Sequence, residues 1–206
     1  MPSANMNDEK LTELERLRSR VNELEVELHA KPPHWQASKF YTAYYATTGF
    51  LLGMFGAVTS LLFNIVGSTL VRQHPLKLIQ VYLTFPLGER ALQLSDGLTL
   101  AIGCCLYIGT GMLLGIPFQI LLSWFTRGKS FGFRMAVGST LSLSMWFVHF
   151  YLILAWLQPL LFGGSWIVEQ TPGWVAALTH LVYGWTMVVV YPLGEYVPYR
   201  RSTEQA

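Results

Sequence analysis

Two histidines sit where water is scarce. His149 and His180 each lie in a long apolar run, and the stretch Met135–Gly194 that holds both has Glu169 as its sole Asp, Glu, Lys or Arg. Imidazole donates and accepts hydrogen bonds near neutral pH and ligates transition metals. An ionisable side chain in hydrocarbon is therefore a candidate for function. Three chemistries compete. A neutral ring can bond a Ser, a Tyr or a backbone carbonyl on the next helix and act as packing glue. It can meet a quinone or handle a proton. Two rings can also hold haem b as axial ligands.

Helical spacing puts Gly138, Ser142, Met145 and His149 on one face. Ala177, His180, Gly184, Met187 and Tyr191 share another. Small and polar residues face protein rather than lipid, because lipid cannot satisfy them. The two faces are expected to meet, with both histidines inward. That arrangement disfavours haem, since helices joined by a short turn pack about 8–10 Å apart.

Little else could do chemistry. Cys104 and Cys105 are adjacent. Neighbours on a helix point about 100° apart, so a disulfide between them would strain the backbone, and they read as small apolar packers. Gly128-Lys129-Ser130 matches the end of a phosphate-binding loop, but Ser123 stands where its first glycine belongs and no strand precedes it. There is no HExxH, no acid pair in an apolar run, no nucleophile with a spaced base and no dinucleotide-binding glycine pattern. No metal site and no catalysis are expected. Asn64, Gln119 and Gln158 are too few buried polar groups for a usual substrate pathway. Phe85-Pro-Leu-Gly-Glu89 resembles Tyr191-Pro-Leu-Gly-Glu195, which reads as shared helix-ending punctuation.

The elements that carry the histidines follow from composition. Of 206 residues, 52% are hydrophobic and 13% charged, against about a quarter charged in soluble domains. The deficit lies in four runs, Phe40–Val71, Gly97–Thr126, Met135–Val168 and Gln170–Gly194, none with Asp, Glu, Lys or Arg. About 20 apolar residues cross a core of roughly 30 Å. The predicted fold is all-α, a polytopic bundle of four transmembrane helices over residues 41–71, 97–125, 135–161 and 173–194. The first run is long enough that it must tilt or break, and a break would fall at Asn64 and Gly67. Residues 75–92 are too short to span and read as an interfacial or re-entrant segment, with Pro75 in the first turn of a helix. Gly49, Gly53, Gly111 and Gly115 form two GxxxG motifs, which with Ser142 and Gly184 are expected to bring helix backbones close.

Residues 1–33 precede the membrane domain 34–195, and 196–206 form a polar tail. Asn7 or Asp8 can cap a helix from about Glu9 to Lys31, ended by Pro32 and Pro33. On it Leu14, Leu17, Val21, Leu24 and Leu28 follow heptad a and d spacing. A parallel dimer would pair Glu13 of one copy with Arg18 of the other, and Arg20 with Glu25. The alternative is a solitary amphipathic helix lying on a partner or on the membrane domain. His34, Trp35, Lys39 and Phe40 begin an aromatic and basic collar at the water boundary.

The Arg127–Arg134 loop holds three basic residues, the tail adds Arg200 and Arg201, and the Phe162–Pro172 turn holds none. This predicts both termini in the cytoplasm, at the cost of placing Arg72, Lys77 and Arg90 outside, in a plasma (inner) membrane. The acidic N-terminal forty residues fit neither a signal nor a transit peptide. A net charge of +2 without a basic block excludes nucleic acid as a serious partner. The partners expected are the lipid bilayer, other membrane subunits or a second copy. A non-catalytic accessory, assembly or scaffold subunit without cofactor is the function expected. The alternatives are a redox subunit with quinone or haem b at His149 and His180, and a small oligomeric transporter.

Overall fold

The structure is a computed structural model and describes residues 3–30 and 37–196. Among these no strand occurs. The helices are α1 Ser3–Ala30, α2 Ala37–Leu70, α3 Lys77–Leu87, α4 Gly97–Thr126, α5 Phe131–Phe147, α6 Ala155–Phe162, α7 Trp166–Gln170 and α8 Gly173–Val190. Short 3-10 turns follow α3 (Gly88–Gln93) and α8 (Tyr191–Gly194), and a π-helical segment, Val148–Leu154, joins α5 to α6. Four helical stretches are long and apolar enough to cross a membrane: Tyr41–Leu70, Gly97–Thr126, Phe131–Phe162 and Gly173–Gly194. Their outward surface stays apolar, with Leu62, Leu113 and Leu160 each more than half exposed. That is consistent with a multi-pass membrane protein, whose outer face meets lipid rather than water.

α1 belongs to a unit separate from Thr42–Glu195. It begins at Ser3, ahead of the expected cap at Asn7 or Asp8. Leu14, Leu17, Val21 and Leu24 are all exposed along it. Arg16 pairs with Glu13 (3.2 Å) and Arg20 with Glu23 (2.8 Å) one turn apart. Such exposed pairs contribute only a few tenths of a kcal/mol. The Leu28 side chain, Lys31–Gln36, the side chains of Lys39 and Phe40, Arg200 and Arg201 lie outside the described residues.

α2 runs unbroken from Ala37 to Leu70, so of the two alternatives, tilt or break, there is no break at Asn64 and Gly67. The Asn64 amide donates to Ser60 O one turn back (2.8 Å) and to Thr179 Oγ1 on α8 (2.9 Å). Its polar group is satisfied without opening the ladder. At 34 residues α2 is roughly 50 Å long, so in a bilayer of roughly 30 Å it has to tilt or protrude.

The first helical residue of α3 is Lys77, not Pro75. A turn comes first, in which Leu76 N donates to His74 Nδ1 (3.1 Å) and Lys77 N to His74 O (2.8 Å). α3 buries Ile79, Gln80, Val81, Leu83 and Thr84. Gly103 of α4 admits it, since a Cβ there would stand 2.6 Å from Ile79 Cγ2 and 2.8 Å from Leu83 Cδ1. Asp96 caps α4, accepting from Thr99 N (2.8 Å) and Thr99 Oγ1 (2.7 Å). These bonds, the hydroxyl's first, hold its carboxyl below the ordinary range.

The two GxxxG motifs face one another. A Cβ on Gly49 would strike Gly115 O, and one on Gly53 would lie 2.5 Å from Gly111 O. Likewise a Cβ on Gly184 would strike Ser142 Oγ, which brings α5 against α8. These small residues are spent on contacts within the chain. One buried cluster joins α2, α4, α8 and the turn after α8 through Leu52, Phe118, Leu122, Tyr183, Met187 and Tyr191. A second joins α2, α3 and α4 through Leu61, Ile79, Leu83 and Leu100.

Candidate functional site

The third apolar stretch starts at Phe131 rather than residue 135, because Ser130 caps it and accepts from Phe133 N (3.4 Å). Arg134 joins the helix by laying its guanidinium 4.0 Å over the Tyr191 ring, a cation–π contact that tolerates an apolar setting. Seven residues in this stretch, Val148–Leu154, then widen to π geometry. Pro159 follows and brings no N–H to the ladder, and the Trp156 indole donates to Leu152 O beside the wide turn. A π turn keeps residues four and five apart on one side, and such turns concentrate at functional sites. His149, Phe150, Ile153 and Leu154 thereby face one cavity.

The cavity measures about 440 Å³ and is bounded by α3, α4, the π segment, α7 and α8. No Asp, Glu, Lys or Arg lines it. Its wall is apolar except for the two histidines and the hydroxyls of Tyr82, Tyr107, Thr110, Thr171 and Thr179. The rings of His149 and His180 lie 5.9 Å apart, centroid to centroid. His180 Nδ1 bonds Ala176 O one turn back (2.8 Å). Both histidines are half-buried. A recess of about 100 Å³ continues inward past Tyr82, Tyr107, Thr110 and His180 to Tyr183. A second cavity of about 510 Å³ adjoins the first, sharing Leu78, Val81 and Thr171 with it.

The hydroxyls are fastened in pairs. Tyr82 OH lies 2.6 Å from Thr110 Oγ1, which donates to Leu106 O (3.0 Å). Tyr107 OH lies 3.0 Å from Ser60 Oγ, which donates to Ala57 O (3.0 Å). Thr179 Oγ1 donates to Val175 O (2.8 Å) while accepting from Asn64. Tyr183 OH donates to Gly111 O (2.7 Å).

Of the residues read from sequence, His149 and His180 come together at this cavity. Ser142 and Gly184 meet deeper in the bundle, where α5 and α8 are too close to admit a haem between them. Gly49, Gly53, Gly111 and Gly115 pack elsewhere, between α2 and α4. On α8 the buried residues Ala176, Thr179 and Tyr183 join Gly184, Met187 and Tyr191, while Ala177 is only half-buried. Gln158 is buried and bonded, whereas Gln119 is buried with both amide atoms unpartnered. Sequence reasoning missed Tyr82, Tyr107, Thr110 and Thr179. Tyr107 and Thr110 do stand one turn apart on α4, a spacing that could have marked a polar face. Comparison with protein-family models, curated proteins and solved structures finds no match to this chain.

Proposed function

We propose that this multi-pass protein binds a hydrophobic quinone-type molecule between its helices, with His149 and His180 at the ligand's polar end. The supporting observation is the paired imidazoles in a cavity of about 440 Å³ whose wall is uncharged and, apart from five hydroxyl side chains, apolar. Small-ligand sites run roughly 300–1,000 Å³ and combine apolar walls with a few convergent polar groups. Haem b on the same pair is the competing occupant. The lining has no Lys or Arg to meet its propionates. Titration of the purified protein with a short-tailed benzoquinone should saturate, and His149→Phe should weaken binding at least tenfold while thermal stability changes little. Affinity unchanged by that substitution sinks the proposal. A Soret band in the purified protein would replace quinone by haem.

The orientation proposed is both termini and the α4–α5 connection in the cytoplasm of a bacterial-type inner membrane, on the strength of Arg127 and Lys129 in that connection and Arg134 in the first turn of α5. In a background with Cys104→Ser and Cys105→Ser, an impermeant thiol reagent added outside should label Glu169→Cys and spare Lys129→Cys, both exposed positions. The opposite pattern reverses the topology.

A second reading, an accessory or scaffold subunit, is favoured by α1. Its stripe Leu14, Leu17, Val21 and Leu24 is exposed, and its flanking charges are complementary across a parallel pair. Leu17→Asp with Leu24→Asp should abolish cross-linking between chains without disturbing membrane insertion. Persistent cross-links would remove α1 as the contact.

A further inference from the structure

We infer that this cavity takes its ligand as a hydrogen-bond donor: it is built for a hydroxyl-bearing ring, the hydroquinone or another alkylphenol, with His180 Nε2 as acceptor. This deepens the quinone-type reading above and rests on it.

The argument is a count of protons. A backbone carbonyl can only accept. His180 Nδ1 faces Ala176 O at 2.8 Å, so Nδ1 carries the hydrogen. With no carboxylate in the lining to stabilise an imidazolium, and with charge costly in hydrocarbon, the ring is neutral and Nε2 presents a lone pair. The same count empties the hydroxyls of donors. Thr110 and Tyr82 both reach Leu106 O, at 3.0 and 3.4 Å, and lie 2.6 Å from each other, so whichever donates to the carbonyl, the other's proton goes into the bond between them. Ser60 spends its proton on Ala57 O, so Tyr107 donates to Ser60. Thr179 donates to Val175 O and Tyr183 to Gly111 O. Tyr82 and Tyr107 keep only lone pairs for a ligand. Donors remain at His149, which has no hydrogen bond among the described residues, and at Thr171, where the two cavities meet.

One ligand hydroxyl satisfies both rings at once. It donates to His180 Nε2 and accepts from His149, whose ring is 5.9 Å away. A quinone carbonyl satisfies His149 alone and sets its own lone pairs against that of Nε2. A buried acceptor left opposed in this way weakens binding by about tenfold or more.

The test compares four probes on the full chain in mild detergent: decylbenzoquinone, its hydroquinone held reduced under argon, the hydroquinone dimethyl ether, and 4-decylphenol. The hydroquinone and the phenol should bind at least tenfold more tightly than the quinone and the ether. His180→Phe should erase that preference. The wild-type comparison stands alone should the variant fold poorly. Quinone or ether binding as tightly as hydroquinone overturns the donor assignment and leaves the binding site intact. Binding of none of the four overturns the site itself, and the assignment with it.

Discussion

Gly115→Val is expected to destabilise the bundle strongly, while Gly109→Val on the same helix leaves it intact. A Cβ at position 115 would strike Gly49 O and lie 2.8 Å from Gly53 Cα and 3.0 Å from Gly49 C. All three are main-chain atoms of α2, so no side-chain rotation makes room. At Gly109 a Cβ meets nothing within 4 Å. Overpacking a core costs about 1–3 kcal/mol and occasionally more, and a clash confined to backbone belongs at the upper end. The measurement is monodisperse yield and thermal unfolding in mild detergent. An unchanged melting profile for Gly115→Val would mean that α2 and α4 do not cross at their glycines. Equal damage from Gly109→Val would mean that valine at a helical glycine, not the crossing, is at fault.

Gln158→Leu is the second large effect, and it reaches the cavity. Gln158 is fully buried on α6. Its Nε2 donates to Thr84 Oγ1 on α3 (3.0 Å), and its Oε1 accepts from Ile167 N at the start of α7 (3.0 Å). One side chain thus ties three elements together. Leucine keeps the volume and leaves the Ile167 N–H without its partner, at a cost of about 1–3 kcal/mol. Thr84→Val removes the bond at the amide nitrogen and the Thr84 hydroxyl's own bond to Val81 O (2.6 Å) but leaves Ile167 paired, so exchange at the Ile167 amide should stay slow there. Ile167 also lines the cavity, so amide exchange at Ile167 should accelerate and ligand affinity fall together in Gln158→Leu. Slow exchange at Ile167 in that variant would show that α7 is held by packing alone.

The four long helices were legible because the length of an uncharged run is a property of the chain in one dimension. Helices at Tyr41–Leu70, Gly97–Thr126 and Gly173–Gly194 stop close to where charge resumes. The third began earlier than its charges implied, since Arg134 is accommodated by Tyr191, a residue remote in sequence. The close approach of small faces was also readable, as the absence of a side chain is recorded in the residue name. Which faces met was not: Gly49 and Gly53 found Gly111 and Gly115, and Ser142 found Gly184.

The candidate site divides the same way. Two imidazoles in apolar runs mark themselves in the sequence, and helical counting from a common turn places them at similar depth. The cavity beside them needed the tertiary structure. Its walls come from α3, α4, the π segment, α7 and α8, and no local pattern records that segments far apart in sequence leave a gap. The π turn is invisible to a 3.6-residue period. Burial of α3 depended on Gly103 of another helix. The hydroxyls of Ser60, Thr110 and Thr179 bond carbonyls one turn back on their own helices, but which tyrosine meets Ser60 and Thr110, and which carbonyl Tyr183 reaches, depended on folding. Sequence alone therefore determined which segments are long and apolar and which ionisable groups lie within them. Tertiary structure decided which of those groups share a cavity and what each has left to offer a ligand, because a hydrogen bond depends on distance and direction in three dimensions.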